Sequence, residues 1–210
     1  MASAITEAVK TLSDAEQRFD LLRTEDDAFF FEWQTNLPEL STAEIANLDV
    51  MRQRYLYQRS EGQLLEGTVT LLMASPLLAI AGFYDPPFLV KAEESIQIQI
   101  ADSEEIIQGR IDVLVLKGGF WVVVLESKKT ALSVWAALPQ TLDYLMANPN
   151  PGAPSFAMIT NGDDIFFVKL LQRPQRLYSL SRVFAPFTSK HELQSALKVL
   201  KQISQVVCGS

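Results

Sequence analysis

Imidazole and thiol are almost missing from this chain: its 210 residues include one histidine, His191, and one cysteine, Cys208. One cysteine allows no disulfide within the chain and no thiolate zinc site, which suits a reducing cytosol. One histidine excludes His-rich zinc sites, and a Ser-His-Asp triad could only run through His191. No Gly-x-x-x-x-Gly-Lys-Ser/Thr phosphate loop occurs, so this chain carries no translocating motor. The longest apolar stretch, near Leu71 to Phe83, is too short to span a bilayer and is broken by Pro76. No basic segment followed by an apolar run opens the sequence, so no signal peptide is expected, and the expected location is the cytoplasm. Positive charge is also scarce. Lys and Arg number 18 against 25 Asp and Glu, a net charge of -7, which argues against coating nucleic acid by bulk electrostatics but allows a local basic groove.

Apolar residues make up 48% of the chain, enough for a sizeable core, so a globular α/β protein is expected. Residues 3 to 83 read as helical. "STAEIANLDVMRQRYLYQ" opens with a capping box, Ser41 to Glu44. "EGQLLEGTVTLLMASPLLAIA" should kink or break near Pro76 and stop at Gly82. The period then changes to two. "ESIQIQIA" alternates as a half-buried strand, and 110–116 with 120–127 reads as a β-hairpin around two glycines. "SVWAALPQTLDYLMA" reads as a crossover helix over 133–147, with Pro139 awkward inside it or starting its second part. "SFAMITNG" and "DIFFVKL" are strands around an Asn161-Gly162 turn, the first parallel to its sheet neighbour. A final amphipathic helix starts with a second capping box, Ser189 to Glu192. The expected fold is a mixed β-sheet flanked by helices.

The hairpin "GRIDVLVLKGGFWVVVLESKK" holds charge inside apolar strands: Asp112, Glu126 and Lys128. Strand side chains alternate between faces, so Glu126 and Lys128 share one face. A hairpin centred on Gly118 sets Asp112 opposite about residue 124, diagonal to Glu126 and within reach of one bound ion. Clustered carboxylates suit a hard, oxygen-loving cation such as Mg²⁺. A lysine beside such an ion can orient a nucleophile or neutralise developing charge, which is phosphodiester hydrolysis chemistry. An exposed Glu-Ser-Lys-Lys strand end needs no metal, so the spacing alone leaves both readings open.

These residues resemble the core of the PD-(D/E)xK nuclease superfamily. "QTLDY" is similar to the Gln-x-x-x-Tyr extension of a subset that includes the N-terminal nuclease domain of type I restriction enzyme R subunits, and "TVTLLMASPLLAIAGF" and "SFAMITNGDDIFF" fit that subset too. The resemblance covers about residues 61 to 170, closest to stand-alone R-subunit-like proteins of the cyanobacterial type. It implies a restriction-endonuclease-like fold over 61–210, a helical N-terminal extension over 1–60, and a Mg²⁺-dependent endonuclease that acts on DNA, with Mn²⁺ able to substitute. It assigns Asp112 and Glu126 to metal binding and Lys128 to catalysis. Gln140 and Tyr144, four apart on one helix face, border the site and the DNA backbone. Glu66 matches a helix acid that adds to the metal site, with Glu61 the runner-up. Lys129 could touch phosphate. Ile111 stands where the motif has proline. Other restriction–modification subunits are implied as partners, and no membrane. Residues 1–60 fall outside the resemblance, open to a lid, a homodimer surface or plain packing.

Two other readings stand beside this one. The acidic balance favours a catalytically silent nuclease-fold module that binds DNA or protein, and a nuclease acting on structured RNA is the other, because nothing in the sequence separates DNA from RNA. Elsewhere, Trp121 and Trp135 read as core, and Phe29, Phe30, Phe31 and Trp33 as core or a packed helix edge, with a base-stacking platform as the sharper alternative. Arg52, Arg54 and Arg59 with Tyr55 and Tyr57 read as a solvated face, with phosphate contact as the sharper alternative. His191 reads as exposed.

Overall fold

A computed structural model describes residues 2–4, 11–99, 106–115, 120–124 and 134–209, giving the backbone course alone for 2–4 and for the strands between 91 and 124. The helices are α1 (Leu12–Phe19), α2 (Thr42–Ser60), α3 (Glu66–Val69), α4 (Ser75–Ile80), α5 (Leu138–Met146) and α6 (Lys190–Gly209). The strands are β1 (Ala2–Ala4), β2 (Leu22–Arg23), β3 (Val90–Gln99), β4 (Ile106–Val115), β5 (Phe120–Val124), β6 (Ser155–Thr160), β7 (Ile165–Leu171) and β8 (Leu177–Leu180). All eight strands form one mixed sheet in the order β1-β4-β5-β6-β7-β8-β2, with β3 on the other edge of β4. Strands β3, β4 and β5 form the expected antiparallel meander, and β5 and β6 are parallel, Phe120 beside Phe156 through Val124 beside Thr160. A crossover through a helix produces that parallel pairing. The fold is α/β, a mixed sheet with helices on both faces, as expected.

Alternation along β6 and β7 builds two cores. Phe156, Met158, Ile165 and Phe167 face α2, α4 and α6, in a layer with Met51, Leu77, Leu78 and Leu200. Ala157, Ile159, Phe166, Val168 and Leu170 face the other way, against α1 and α5. Each fully buried aliphatic or aromatic side chain contributes about 1.5–3 kcal/mol. Burial on both faces explains why these two strands read as continuous apolar runs.

The helices follow local chemistry. At α2, Ser41 Oγ accepts the Glu44 N–H at 3.2 Å and the Glu44 carboxylate accepts the Ser41 N–H at 2.7 Å, the expected capping box. Pro76 lacks an N–H and its ring clashes with the preceding turn. The chain answers with a π turn over Thr70–Ala74, in which the Ser75 N–H reaches back five residues to the Thr70 carbonyl. Gly82, at φ +86°, then ends α4. The Phe83 N–H bonds the Leu78 carbonyl at 3.0 Å and the Gly82 N–H bonds the Ala79 carbonyl at 3.1 Å, a Schellman closure with Phe83 and Leu78 both buried. Pro139 sits in the first turn of α5, after a 3₁₀ turn over Val134–Ala137, so the crossover is a helix in two parts.

Several expectations need correction. Residues 3 to 83 are not continuously helical: β1 and β2 are strands of the main sheet, and 24–41 carries only the 3₁₀ turn Phe31–Trp33. Helix α1 has its own capping box, Thr11 with Asp14, overlooked because Asp stands where the pattern has Glu or Gln. At α6, Ser189 Oγ accepts the His191 N–H, while Glu192 bonds Arg182 and the Ala185 N–H. Trp135 is 43% exposed and lies against the Phe166 ring, so it is not core, whereas Phe31, 39% exposed, stands at the edge of the core in its 3₁₀ turn. The side chain of Trp121 lies outside the described residues. Of the arginines, Arg52 donates to the Pro186 and Phe187 carbonyls and Arg59 to Asp163, and Tyr55 is buried, so only Arg54 and Tyr57 remain a solvated face. His191 is exposed as expected.

Candidate active site

The hairpin that raised the question of function forms between β4 and β5, with Val113 beside Val122, Leu114 beside Trp121 and Val115 beside Phe120. Asp112 is the next residue of β4, and one more step along this ladder sets it level with Val123, one residue from the expected 124. The side chain of Asp112 lies outside the described residues, as do Glu126, Lys128 and Lys129 entirely. The chain leaves β5 at Val124, beside Thr160, two residues before Glu126. In parallel α/β sheets the carboxyl ends of strands are where ligands gather.

Helices meet β5 from both sides. Helix α5 lies over β5, β6 and β7, and Gln140 Nε2 donates to the Tyr144 hydroxyl on it. The two residues do share a face, Tyr144 fully buried and Gln140 half-buried. On the opposite side, the π turn after α3 packs on β5. Glu66 is the first residue of α3, half-buried, whereas Glu61 is exposed at the end of α2. Thus Glu66 opens the helical run that reaches β5, and Glu61 does not.

At the carboxyl end of β6 the turn is fixed from outside. Asp163 accepts from the Tyr55 hydroxyl at 2.7 Å and from Arg59 Nη2 at 3.1 Å. Burial first, then the bond to Asp163, raises the Tyr55 hydroxyl above its ordinary range, and Arg59 is raised by its own hydrogen bond to Asp163. Burial, then the neighbouring Asp163, raises the Asp164 carboxyl. Gly162 sits at φ +90°, and a Cβ there would lie 2.5 Å from the Tyr55 hydroxyl oxygen. Only glycine satisfies both the turn and this contact.

Residues 51–176 match the family described as the type I restriction enzyme R protein N terminus. The chain belongs to this family. No curated protein and no solved structure matches it. The stretch shared with the R protein N terminus covers α3 to β7 without a break, and therefore Glu66, the hairpin, Gln140, Tyr144 and the Gly162 turn. It leaves out α1, β2 and α6.

Among the described residues no three His, Cys, Asp or Glu side chains group to hold a metal ion. The side chains of Asp112 and Glu126 lie outside that set. All three assigned donors, counting Glu66, are carboxylates, a set that fits Mg²⁺ and not a soft metal. Sequence reasoning missed one group outright. Asp143, inside "QTLDY", is fully buried, and neither carboxylate oxygen has a hydrogen-bond partner among the described residues. Burial pushes its carboxyl up to about 7, against a smaller opposing effect of Arg18. Its signal was available: it is the one charged residue in "SVWAALPQTLDYLMA".

Proposed function

We propose that the chain is a Mg²⁺-dependent endonuclease that hydrolyses DNA phosphodiester bonds, an R-subunit-type nuclease domain. What supports this reading is that one family match spans both the Asp112 hairpin and the Gln140–Tyr144 helix, which the fold stacks on β5. In this reading Asp112, Glu126 and Glu66 hold the metal ion, and Mn²⁺ can replace Mg²⁺. When bound, the ion supplies charge stabilisation to the phosphoryl group and acidifies water. Lys128 hydrogen-bonds a non-bridging phosphate oxygen through Nζ and neutralises charge that develops there. Gln140 and Tyr144 hold each other and support the site toward the DNA backbone, and Lys129 contacts phosphate. The proposed partners are DNA and other restriction–modification subunits, with a homodimer also open, in the cytoplasm. No described helix is long and apolar enough to cross a membrane.

The test is cleavage of supercoiled plasmid. Nicking should require Mg²⁺ or Mn²⁺, stop with chelator, and disappear in Asp112→Asn and Lys128→Ala variants that melt like the parent. Intact plasmid, single-stranded DNA and RNA across pH 6–9 would sink the proposal. The net charge of -7 supports a second reading, a catalytically silent DNA- or protein-binding module. That module should show no carboxylate-dependent thermal stabilisation by Mg²⁺, so metal titration of the Asp112→Asn variant separates the two.

A further inference from the structure

The segment that precedes the family match is bound to the helix that carries Gln140 and Tyr144. Helix α1 packs against α5, and Ala15, Phe19 and Leu21 join the core on that side of the sheet. Strand β2 then adds in parallel to β8, with the Leu22 N–H on the Arg176 carbonyl at 3.0 Å and the Thr24 N–H on the Tyr178 carbonyl at 2.9 Å. Arg176 Nη1 reaches the Phe19 carbonyl at 2.7 Å, and the Tyr178 hydroxyl reaches Glu16 Oε1 at 2.6 Å. These are a short parallel pairing, two long-range hydrogen bonds and three buried side chains. Locally held segments of this kind open below the free energy of global unfolding.

Beside this seam lies a buried carboxyl group. Asp143 is 0% exposed, and its oxygens have no hydrogen-bond partner among the described residues. Among the described residues, the charged group that acts on it is Arg18, from α1. Across the rest of the seam, Glu16 and Tyr178 engage each other and Arg176 is committed to a backbone carbonyl. On α5 itself, Gln140 and Tyr144 bond each other. A carboxylate left in such a place loses its hydration without compensation, whereas the neutral acid tolerates burial.

We propose that residues 11–24 form a strap over α5 whose docking is set by the charge on Asp143. The docked strap holds the neutral acid. Opening lets water reach Asp143, which then ionises as an ordinary aspartate. The docked form therefore binds more protons than the open form between about pH 4 and pH 7, the ordinary aspartate value and the buried one. Docking weakens as pH rises through that interval, by up to roughly tenfold per pH unit, and levels off above it. Arg18 acts against this by favouring the ionised form in place. The proposal concerns the N-terminal segment and does not depend on the chain being a nuclease.

Native-state hydrogen exchange on the full chain, corrected for intrinsic exchange rates, tests it between pH 5 and pH 8. Amides of α1 and β2 should exchange before those of β6 and β7. Their protection should fall by one to two orders of magnitude from pH 5 to pH 7 and then flatten. Asp143→Asn should abolish that slope, and Arg18→Gln should move the point of flattening to higher pH. Three results would overturn the proposal: strap and core amides exchanging together at one rate, strap protection independent of pH in the parent chain, or an unchanged slope in Asp143→Asn. The parent pH series alone decides the matter if the variant does not fold.

Discussion

Lys169 Nζ and Glu32 Oε1 lie 2.6 Å apart, and the pair ties strand β7 to the 3₁₀ turn at Phe31–Trp33. Both residues are buried, and the ammonium sits 5.2–5.6 Å from the ring centres of Phe29, Phe31 and Phe156. Cation–π attraction from three rings compensates part of the lost hydration. Glu32 Oε2 has no hydrogen-bond partner among the described residues, so the match is incomplete there. Removing one partner leaves an uncompensated buried charge. Glu32→Ala should cost about 3–5 kcal/mol in urea unfolding, whereas the double change Glu32→Leu with Lys169→Met should be neutral or stabilising. Equal losses in the single and double variants would show that apolar packing, and not charge, decides at this site.

Asp143 should make the whole fold less stable as pH rises. Its folded-state value of about 7 exceeds the unfolded value of about 3.9, so the folded protein binds the extra proton between them. Unfolding free energy therefore decreases from about pH 4 to pH 7, by at most ~4 kcal/mol from this group, and is then flat with respect to it. Asp143→Asn should remove that contribution and raise the melting temperature at pH 7.5. Parallel pH–stability curves for parent and variant would contradict the assignment.

Gly162→Ala should destabilise by ~2–4 kcal/mol, combining a strained positive φ with the clash on Tyr55. The near-ultraviolet circular dichroism of the variant should change, because the Tyr55 ring must move. A Gly162→Ala protein with parental stability and spectrum would place the ring elsewhere.

Tyr144→Phe should separate packing from polarity in α5. The ring remains buried, and the hydroxyl that accepts from Gln140 is lost, at about 1 kcal/mol. If the proposed nuclease reading holds, cleavage should fall by far more than this stability change explains. Cleavage at the parental rate would make the pair purely structural.

The strands between residues 90 and 171 were legible because their alternation and flanking glycines are local signals. So were the Ser41 cap, the Gly82 stop and the division of the crossover helix at Pro139, which follow from the chemistry of single residues. Strands β1, β2 and β8 were not, because two to four residues carry no period, and their pairing depends on a sheet built by distant segments. The Lys169–Glu32 and Asp163–Arg59 pairs join residues more than 100 positions apart, beyond any local pattern. The register of the hairpin differs by one residue from a turn centred on Gly118, because the β4–β5 pairs centre between Lys117 and Gly118. Asp143 has the same signature as Asp112, a single charge in an apolar run, but its burial depends on which helix face the sheet and α1 cover, which the local sequence does not carry.

The pairing of β2 with β8 joins two ends of the sequence about 150 residues apart. Loop-closure entropy grows with the logarithm of that distance, and a two-residue strand returns little until its neighbours are in place. In kinetic terms, the contact belongs after the transition state. Mutations at Leu22, Arg23 or Tyr178 should then leave the refolding rate nearly unchanged and act on the unfolding rate, which makes this corner the timer of how long a folded molecule lasts.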